Sequence, residues 1–385
     1  MLWVDHRPLV HCIFVGIGLD PESSFNWLAF YLVEALGNVG AHCLLQVYKD
    51  PARIFEASYH ELLDIGGVSK QAARNIVERR FALDPEKEIR KVEKFGARII
   101  PFSSNEYPPY LREIHDPPVI MYARGQVIPD ELPFIAVVGS RNPTHYGSKV
   151  AMDIGKSLAQ AGVGVVSGMA LGIDGAAQWG CLRGQGFTIG VIGTGLDVIY
   201  PASNRKLFEA VFDKGTVISE FPMGTPPEPR HFPIRNRIIS GISRGVVVVE
   251  ATRKSGSLIT AGQALDQGRD VFAVPGSIYS PRSEGTHFLI KQGAKLVDSV
   301  NDILEDILQH SADKGTSNRS SETAVPRGMG EAEGKIYEFL SEYPKHIDEI
   351  VRELELDPGE ASSLLLEMEL SGIIKQLPGK MFVRS

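Results

Sequence analysis

The sequence predicts an α/β chain whose centre is a parallel sheet covered by helices on both faces, with a helical region before it and a small three-helix, two-strand domain after it. Three observations predict this. Between about Phe134 and Val297, short, almost wholly apolar, β-branched runs alternate with helical stretches, as strands buried on both faces and joined by crossover helices require. Residues 1 to about 83 are mostly helical in pattern. A Ser/Thr/Gly-rich stretch then separates the centre from residues 331–385, as a flexible linker does.

The elements follow in order. The helical region, residues 1–83, ends in Leu62–Val77, where two helices meet at Gly66-Gly67-Val68. That is a helix-hairpin-helix pattern, whose turn presents backbone amides to a phosphate or packs against protein. The central domain, residues 84–308, opens with a strand-like Ala97–Pro101 and a loop-like Tyr107–Tyr110. Its core strands are expected at Phe134–Val138, Val163–Ser167, Phe187–Ile192, Val217–Ser219, Val246–Val249, Val271–Val274 and Lys295–Val297. Residues 309–330 are the linker. Helices at Glu331–Ser341, Ile347–Leu354 and Gly359–Ser371, then strands at Ile373–Leu377 and Met381–Val383 around Pro378-Gly379, have the order of a winged helix. Its third helix carries three glutamates and no lysine or arginine; phosphates repel such a helix, so a protein contact or a regulatory role is expected of this domain.

Composition narrows the class. The chain has 385 residues, 43% hydrophobic and 23% charged, an ordinary globular balance. No apolar stretch approaches the ~18 residues of a membrane helix, and the N-terminus shows no secretory pattern. Cys12, Cys43 and Cys181 are few, odd in number and widely spaced, which fits reduced thiols in a cytoplasm and no metal motif. The net charge of −7 argues against indiscriminate polyanion binding, but Phe221–Ser257 holds six cations against two acids. Cationic loops are therefore expected at a local site.

Ligands of open α/β sheets bind at the carboxyl ends of the strands, and the loops there share one chemistry. Gly139-Ser140-Arg141 follows the first core strand and feeds a helix, a phosphate-binding arrangement with a bidentate donor. Ser167-Gly168 ends the second, and Asp174 is expected to cap the helix after it. After the third come Asn204, Arg205 and Lys206, cations at a helix N-terminus that a bound anion would compensate. Arg230 to Arg237 contains Phe232, Arg235, Asn236 and Arg237, with an aromatic to stack on a base or anchor the loop. Lys254-Ser255-Gly256-Ser257 makes a further phosphate nest after the fifth strand.

Other chemistries find less support. The dinucleotide pattern G-x-G-x-x-G is missing after the first strand, and Gly155-Lys156-Ser157 lacks the leading glycine of a phosphate loop. No HExxH or histidine ligand spacing occurs. Asp174, Asp197, Glu220 and Glu250 stand at strand ends without a recognisable nucleophile–base pair. No cofactor, metal or catalytic residue is expected.

Gly139-Ser-Arg141, Ser167-Gly-Met-Ala-Leu-Gly-Ile-Asp174, Gly193-Thr-Gly-Leu-Asp-Val-Ile-Tyr-Pro201, Phe232-Pro-Ile-Arg-Asn-Arg-Ile-Ile239, Ser255-Gly-Ser-Leu-Ile-Thr260 and Val274-Pro-Gly276 together resemble the DprA/Smf (DNA-processing protein A) family over residues 86–300. The resemblance implies an extended Rossmann-like domain between a helix-hairpin-helix/SAM-like region and a winged helix. It also implies a single-stranded DNA groove, a homodimer, help in loading the RecA recombinase during natural transformation, and no enzymatic activity. By that resemblance Arg141 meets backbone phosphate, Arg205 or Lys206 lines the entrance, and Arg235, Asn236 and Arg237 lie in or beneath the groove, with Arg237 partly structural. Where the family usually has Ala-His, this sequence has Ala177-Gln178; if that position touches DNA, Gln178 still donates a hydrogen bond but cannot become charged. Two alternatives stay open: a nucleotide-processing hydrolase of the lysine-decarboxylase-like group, and a protein-interaction scaffold. The helix and strand around Leu265–Val274 are the expected dimer surface.

Overall fold

A computed structural model describes residues 21–306 and 331–384, except 341–344, 355, 372 and 378. The expected linker, Cys12 and the N-terminal segment in which no secretory pattern is expected lie outside the described residues. Two compact units divide between residues 310 and 311.

In the first unit, helices α1 (Pro21–Tyr31), α2 (Asn38–Tyr48), α3 (Pro51–Ile54), α4 (Tyr59–Leu63) and α5 (Lys70–Val77) come first. Local chemistry sets their ends. Ser58 and Glu61 form a capping box on α4, and Ser69 accepts the Ala72 amide to start α5. The turn between them is exposed, with Gly67 at φ 90° and its Cα close against Cys43 of α2. Helix α6 (Pro85–Phe95) begins at Asp84 with Pro85 at its first position and closes at Gly96, φ 68°. Trp27, Phe30, Leu44 and Ile76 of the early helices share an apolar core with Ile120, Tyr122, Phe208 and Val217 of the central region.

The sheet has nine strands: β1 (Arg98–Pro101), β2 (Ile120–Gly125), β3 (Phe134–Gly139), β4 (Gly164–Ser167), β5 (Thr188–Ile192), β6 (Thr216–Ser219), β7 (Gly245–Val249), β8 (Asp270–Ala273) and β9 (Lys295–Leu296). Their order is β1-β2-β6-β5-β4-β3-β7-β8-β9. From β6 to β9 all neighbours are parallel; β2 joins β6, and β1 joins β2, antiparallel. The seven expected core strands are all present, each within a residue or so. Strand β2 is not among the strands expected from the sequence; its short apolar run is framed by Pro117-Pro118 and Arg124-Gly125. Within the loop-like segment, Pro109–Arg112 forms a short helix, α7.

Helices α8 (His145–Gln160), α9 (Ile173–Arg183) and α10 (Arg205–Lys214) cover one face; α7, α11 (His231–Ile242), α12 (Gly256–Asp266) and α13 (Glu284–Lys291) cover the other. The chain reverses direction across the sheet between β3 and β7, so the loops after these two strands flank the switch point where ligands of such sheets bind.

The second unit contains helices Glu331–Phe339, Ile347–Glu353 and Pro358–Leu370 and a three-stranded sheet, β10 (Lys345–His346), β12 (Met381–Arg384) and β11 (Ile374–Leu377) in that order. It is a winged helix closed around Ile336, Ile350, Leu365, Met368 and Phe382. Among the described residues no helix is long and apolar enough to cross a membrane.

Candidate nucleic-acid interface

Close backbone approach builds the centre of the carboxyl edge. A Cβ at Gly139 would collide with the Val249 carbonyl oxygen, so only glycine lets β3 and β7 end side by side. Ser140 N donates to the Glu250 carbonyl at 2.8 Å, and Ser140 Oγ accepts the Asn142 amide. Glu250 takes a left-handed turn, φ 52°, which aims its carboxylate back at the start of α8. There it accepts the Thr144 amide at 2.8 Å and the Thr144 hydroxyl, while Thr144 caps α8 through the Gly147 amide. The N-terminus of α8, expected to receive phosphate together with Gly139-Ser140-Arg141, is thus already filled by an internal carboxylate.

Arg141 remains as the donor of that loop. It is exposed, has no acidic partner among the described residues, and its guanidinium stands 5.2 Å from the centroid of the half-buried Phe232 ring. Tyr200, exposed, packs against this aromatic with ring centroids 5.9 Å apart and planes tilted by 37°. Tyr200 is not among the site residues expected from the sequence; an aromatic immediately before Pro201 in a strand-end loop is the signal that points to it.

The neighbouring loops are fastened to this centre. Gly172, φ 79°, lets the loop after β4 lie against the Ser140 carbonyl and Pro143. Asn204 does not reach outward: its amide donates to the Met169 and Ala170 carbonyls at 2.9 and 3.1 Å. That bond holds the start of α10, whose first turn carries the exposed Arg205 and Lys206, against the loop after β4. On the far side, Lys254 and Gly256 are exposed. Ser255 and Ser257 share a hydrogen bond, 2.8 Å between hydroxyls, and neither caps α12. The first amides of α12 therefore offer the anion site that α8 does not.

Several expected contacts are buried instead. Ser167 donates to the Val137 carbonyl at 2.7 Å, tying β4 to β3. Gly168 donates to Asp174 Oδ2 at 3.0 Å and accepts from Arg235 at 2.7 Å. Asp174 is consequently not the cap of α9, which starts at Gly172 without a side-chain cap; it closes the Gly168 turn. Burial pushes its carboxyl up, opposed by Arg235. Arg235, 4% exposed, spends its guanidinium on the Gly168 and Val191 carbonyls and on Asn236 Oδ1, and burial lowers its pKa to about 10. Its guanidinium carbon stands 6.0 Å from the centroid of the Phe232 ring. Arg237 is spent on internal partners: it chelates Glu220 through two contacts of 2.6 Å and reaches the Asp116 carbonyl and carboxylate at 2.7 and 3.2 Å. Gln178 is fully buried against β5, donating weakly to Thr188 and the Ile189 carbonyl, so its side chain does not meet a ligand at the surface.

The cation-rich window is correspondingly less free than its charge count. Arg230 pairs with Glu228 at 2.7 Å, Arg244 lies over the Tyr110 ring, and Arg235 and Arg237 are buried. The outward charge of the edge comes from Arg141, Arg205, Lys206, Arg253 and Lys254. Among the described residues no cluster of His, Cys, Asp and Glu is placed to hold a metal ion.

The family described as DNA recombination-mediator protein A matches residues 98–308, and the DprA winged helix domain matches residues 320–380. Protein Smf of Synechocystis is 33% identical, over 93% of this chain and 98% of its own. The X-ray structure of DNA processing protein A from Streptococcus pneumoniae superposes with a TM-score of 0.65 at 39% identity, covering 73% of this chain and 97% of that one. DNA processing protein A from Helicobacter pylori, a structure described for its single-stranded DNA binding mode, superposes with a TM-score of 0.50 at 28% identity, covering 56% and 96%.

Proposed function

This chain belongs to the DNA recombination-mediator protein A (DprA/Smf) family, and we propose on that footing that it binds single-stranded DNA along the carboxyl edge of its sheet. The observation that carries this reading is Arg141, an exposed cation without an acidic partner held over a half-buried aromatic, on a sheet edge that also bears the uncapped N-terminus of α12. Arg141, Arg205, Lys206, Lys254 and the first amides of α12 take phosphates; Phe232, flanked by Tyr200, takes the face of a base. Gly139, Ser140, Ser167, Gly168, Asn204, Arg235, Asn236, Arg237 and Ser257 shape and brace the groove. Stacking is indifferent to base identity, so sequence preference is weak. Unpaired bases are required, so duplex is excluded. The role follows as non-enzymatic handling of incoming DNA in the cytoplasm: a homodimer protects the strand and passes it to RecA during natural transformation.

The test is fluorescence anisotropy with one labelled oligonucleotide, single-stranded and then as duplex, across a salt series, for the wild type and Arg141→Ala. With about four to six phosphates neutralised, log K against log salt falls with a slope of about −3 to −4 for the single strand. Arg141→Ala lowers affinity and makes that slope shallower by about 0.7. Equal, weak binding of both forms, unchanged by the substitution, sinks the reading.

A further inference from the structure

Within the sheet, β5-β4-β3-β7-β8-β9 is the strand order 3-2-1-4-5-6 of doubly wound nucleotide-binding folds. In that order the helix after the first strand receives the phosphates of a dinucleotide at its N-terminus, where amides and the helix dipole favour an anion. The equivalent helix here is α8, after β3. An anion is already present at its start, and it belongs to the chain.

Glu250, directly after β7, is 8% exposed, and among the described residues no cation pairs with it. Its carboxylate accepts the Thr144 amide at 2.8 Å through Oε2 and the Thr144 hydroxyl through Oε1. A buried carboxylate without a counter-ion is costly unless fixed dipoles compensate it, and the start of α8 supplies them. The seat is shaped for this group: a Cβ at Gly147, in the first turn of α8, would come within 2.5 Å of the Glu250 carboxyl carbon. The main chain makes no demand for glutamate. Its φ of 52° suits glycine better, and its backbone bond, the carbonyl accepting the Ser140 amide, is open to any residue. The side chain is what this position keeps.

We propose that Glu250 is a specificity-determining residue: its carboxylate holds the place of a nucleotide phosphate at α8, so that the edge refuses free nucleotides and keeps its exposed cations for a strand. The inference rests on the single-strand reading above. The excluded chemistry is a phosphoryl group, whether inorganic phosphate or a phosphate monoester. Brought to the same amides, it would meet the Glu250 charge at hydrogen-bond range, and like charges in a buried site repel strongly. A strand has no need of this seat, since Arg141 is exposed on the loop before it.

The experiment follows thermal unfolding of the wild type, Glu250→Gly and Glu250→Gln at constant ionic strength, in chloride and with increasing inorganic phosphate or AMP. Glycine accepts the same backbone conformation and empties the seat; glutamine fills it without charge. Glu250→Gly is expected to show a saturating rise in melting temperature, larger than that of the wild type by about 2 °C or more, as a ligand that binds only the folded state produces. Glu250→Gln follows the wild type. A rise with AMP identifies nucleotides as the excluded class; a rise with phosphate alone identifies the free anion. If the empty seat leaves Glu250→Gly largely unfolded in chloride, the same titration reads the folded fraction that phosphate restores. An equal response of wild type and Glu250→Gly, which is the general effect of an excluded salt, or no response of the variant, overturns the proposal. Failure of the groove reading shows separately, as a single-strand affinity that Arg141→Ala leaves unchanged.

Discussion

Arg141, Arg235 and Arg237 lie at the same end of the sheet with three different fates, and solvent access separates them. Arg141 reaches water; Arg235 is consumed by carbonyls; Arg237 pairs with Glu220 and Asp116. Truncating Arg237 to alanine strands a buried Glu220 carboxylate, so a loss of roughly 3–5 kcal/mol is expected, read as a lower urea midpoint. Asp174 gives a pH dependence whose sign follows from burial. Its folded pKa is raised, chiefly by desolvation and against the pull of Arg235. Between the unfolded value near ~3.9 and that raised value the native state binds more protons, so stability falls as pH rises through this window. The wild type should therefore gain stability relative to Asp174→Asn on acidification from neutral pH toward about 4, measured by urea unfolding of both at each pH. A constant difference would contradict the shift.

At the scale of elements, the edge works because strand ends approach closely and helix starts differ in what fills them. Gly139→Ala forces β3 and β7 apart at the Val249 carbonyl. Overpacking of this kind costs about 1–3 kcal/mol, and a lowered melting temperature together with weaker single-strand binding is expected, because the Arg141 loop shifts with β3. Helix α8 is capped by Thr144 and carries the Glu250 carboxylate at its start, whereas α12 begins at Ser255 with no side-chain cap. Ser255→Asp is thus expected to separate stability from function. An N-cap carboxylate beside bare amides stabilises by about 0.5–1 kcal/mol, while the same charge repels the phosphate assigned to those amides. Thermal unfolding and anisotropy on one preparation measure the two effects, and parallel movement of both would remove α12 from the groove.

For the whole molecule, the residues of the proposed groove all lie within the unit that ends before the winged helix, and each unit closes its own apolar core. A chain ending at His310 should therefore retain the single-strand affinity and salt slope of the full chain within about two-fold, the scatter expected of distant, independent parts. A collapse of affinity on truncation would draw the winged helix into DNA binding. At this scale the early helices prove inseparable from the sheet in packing, since Phe30 and Leu44 are buried together with Tyr122 and Phe208. Composition reads the helical region apart because periodicity reports which residues are apolar and not which neighbour they meet.

The strand order of motifs, the parallel sheet and the winged helix were legible in the sequence because burial on two faces, turns and caps are local demands written into adjacent residues. So was the edge that carries Arg141, Arg205, Lys206, Phe232 and Lys254, since each follows a recognisable strand. Strand β2, a short apolar run without a helical crossover on either side, was decided by its partners β1 and β6, both antiparallel to it. Only the tertiary structure separated solvent-facing cations from buried ones, made Asp174 a loop tie rather than a cap, and buried Gln178 against β5. Which side of a helix faces a sheet depends on residues distant in the chain, and a charge count contains no information about solvent. The free energy of a buried arginine is set by carbonyls such as those of Gly168 and Val191, which the chain brings together only on folding.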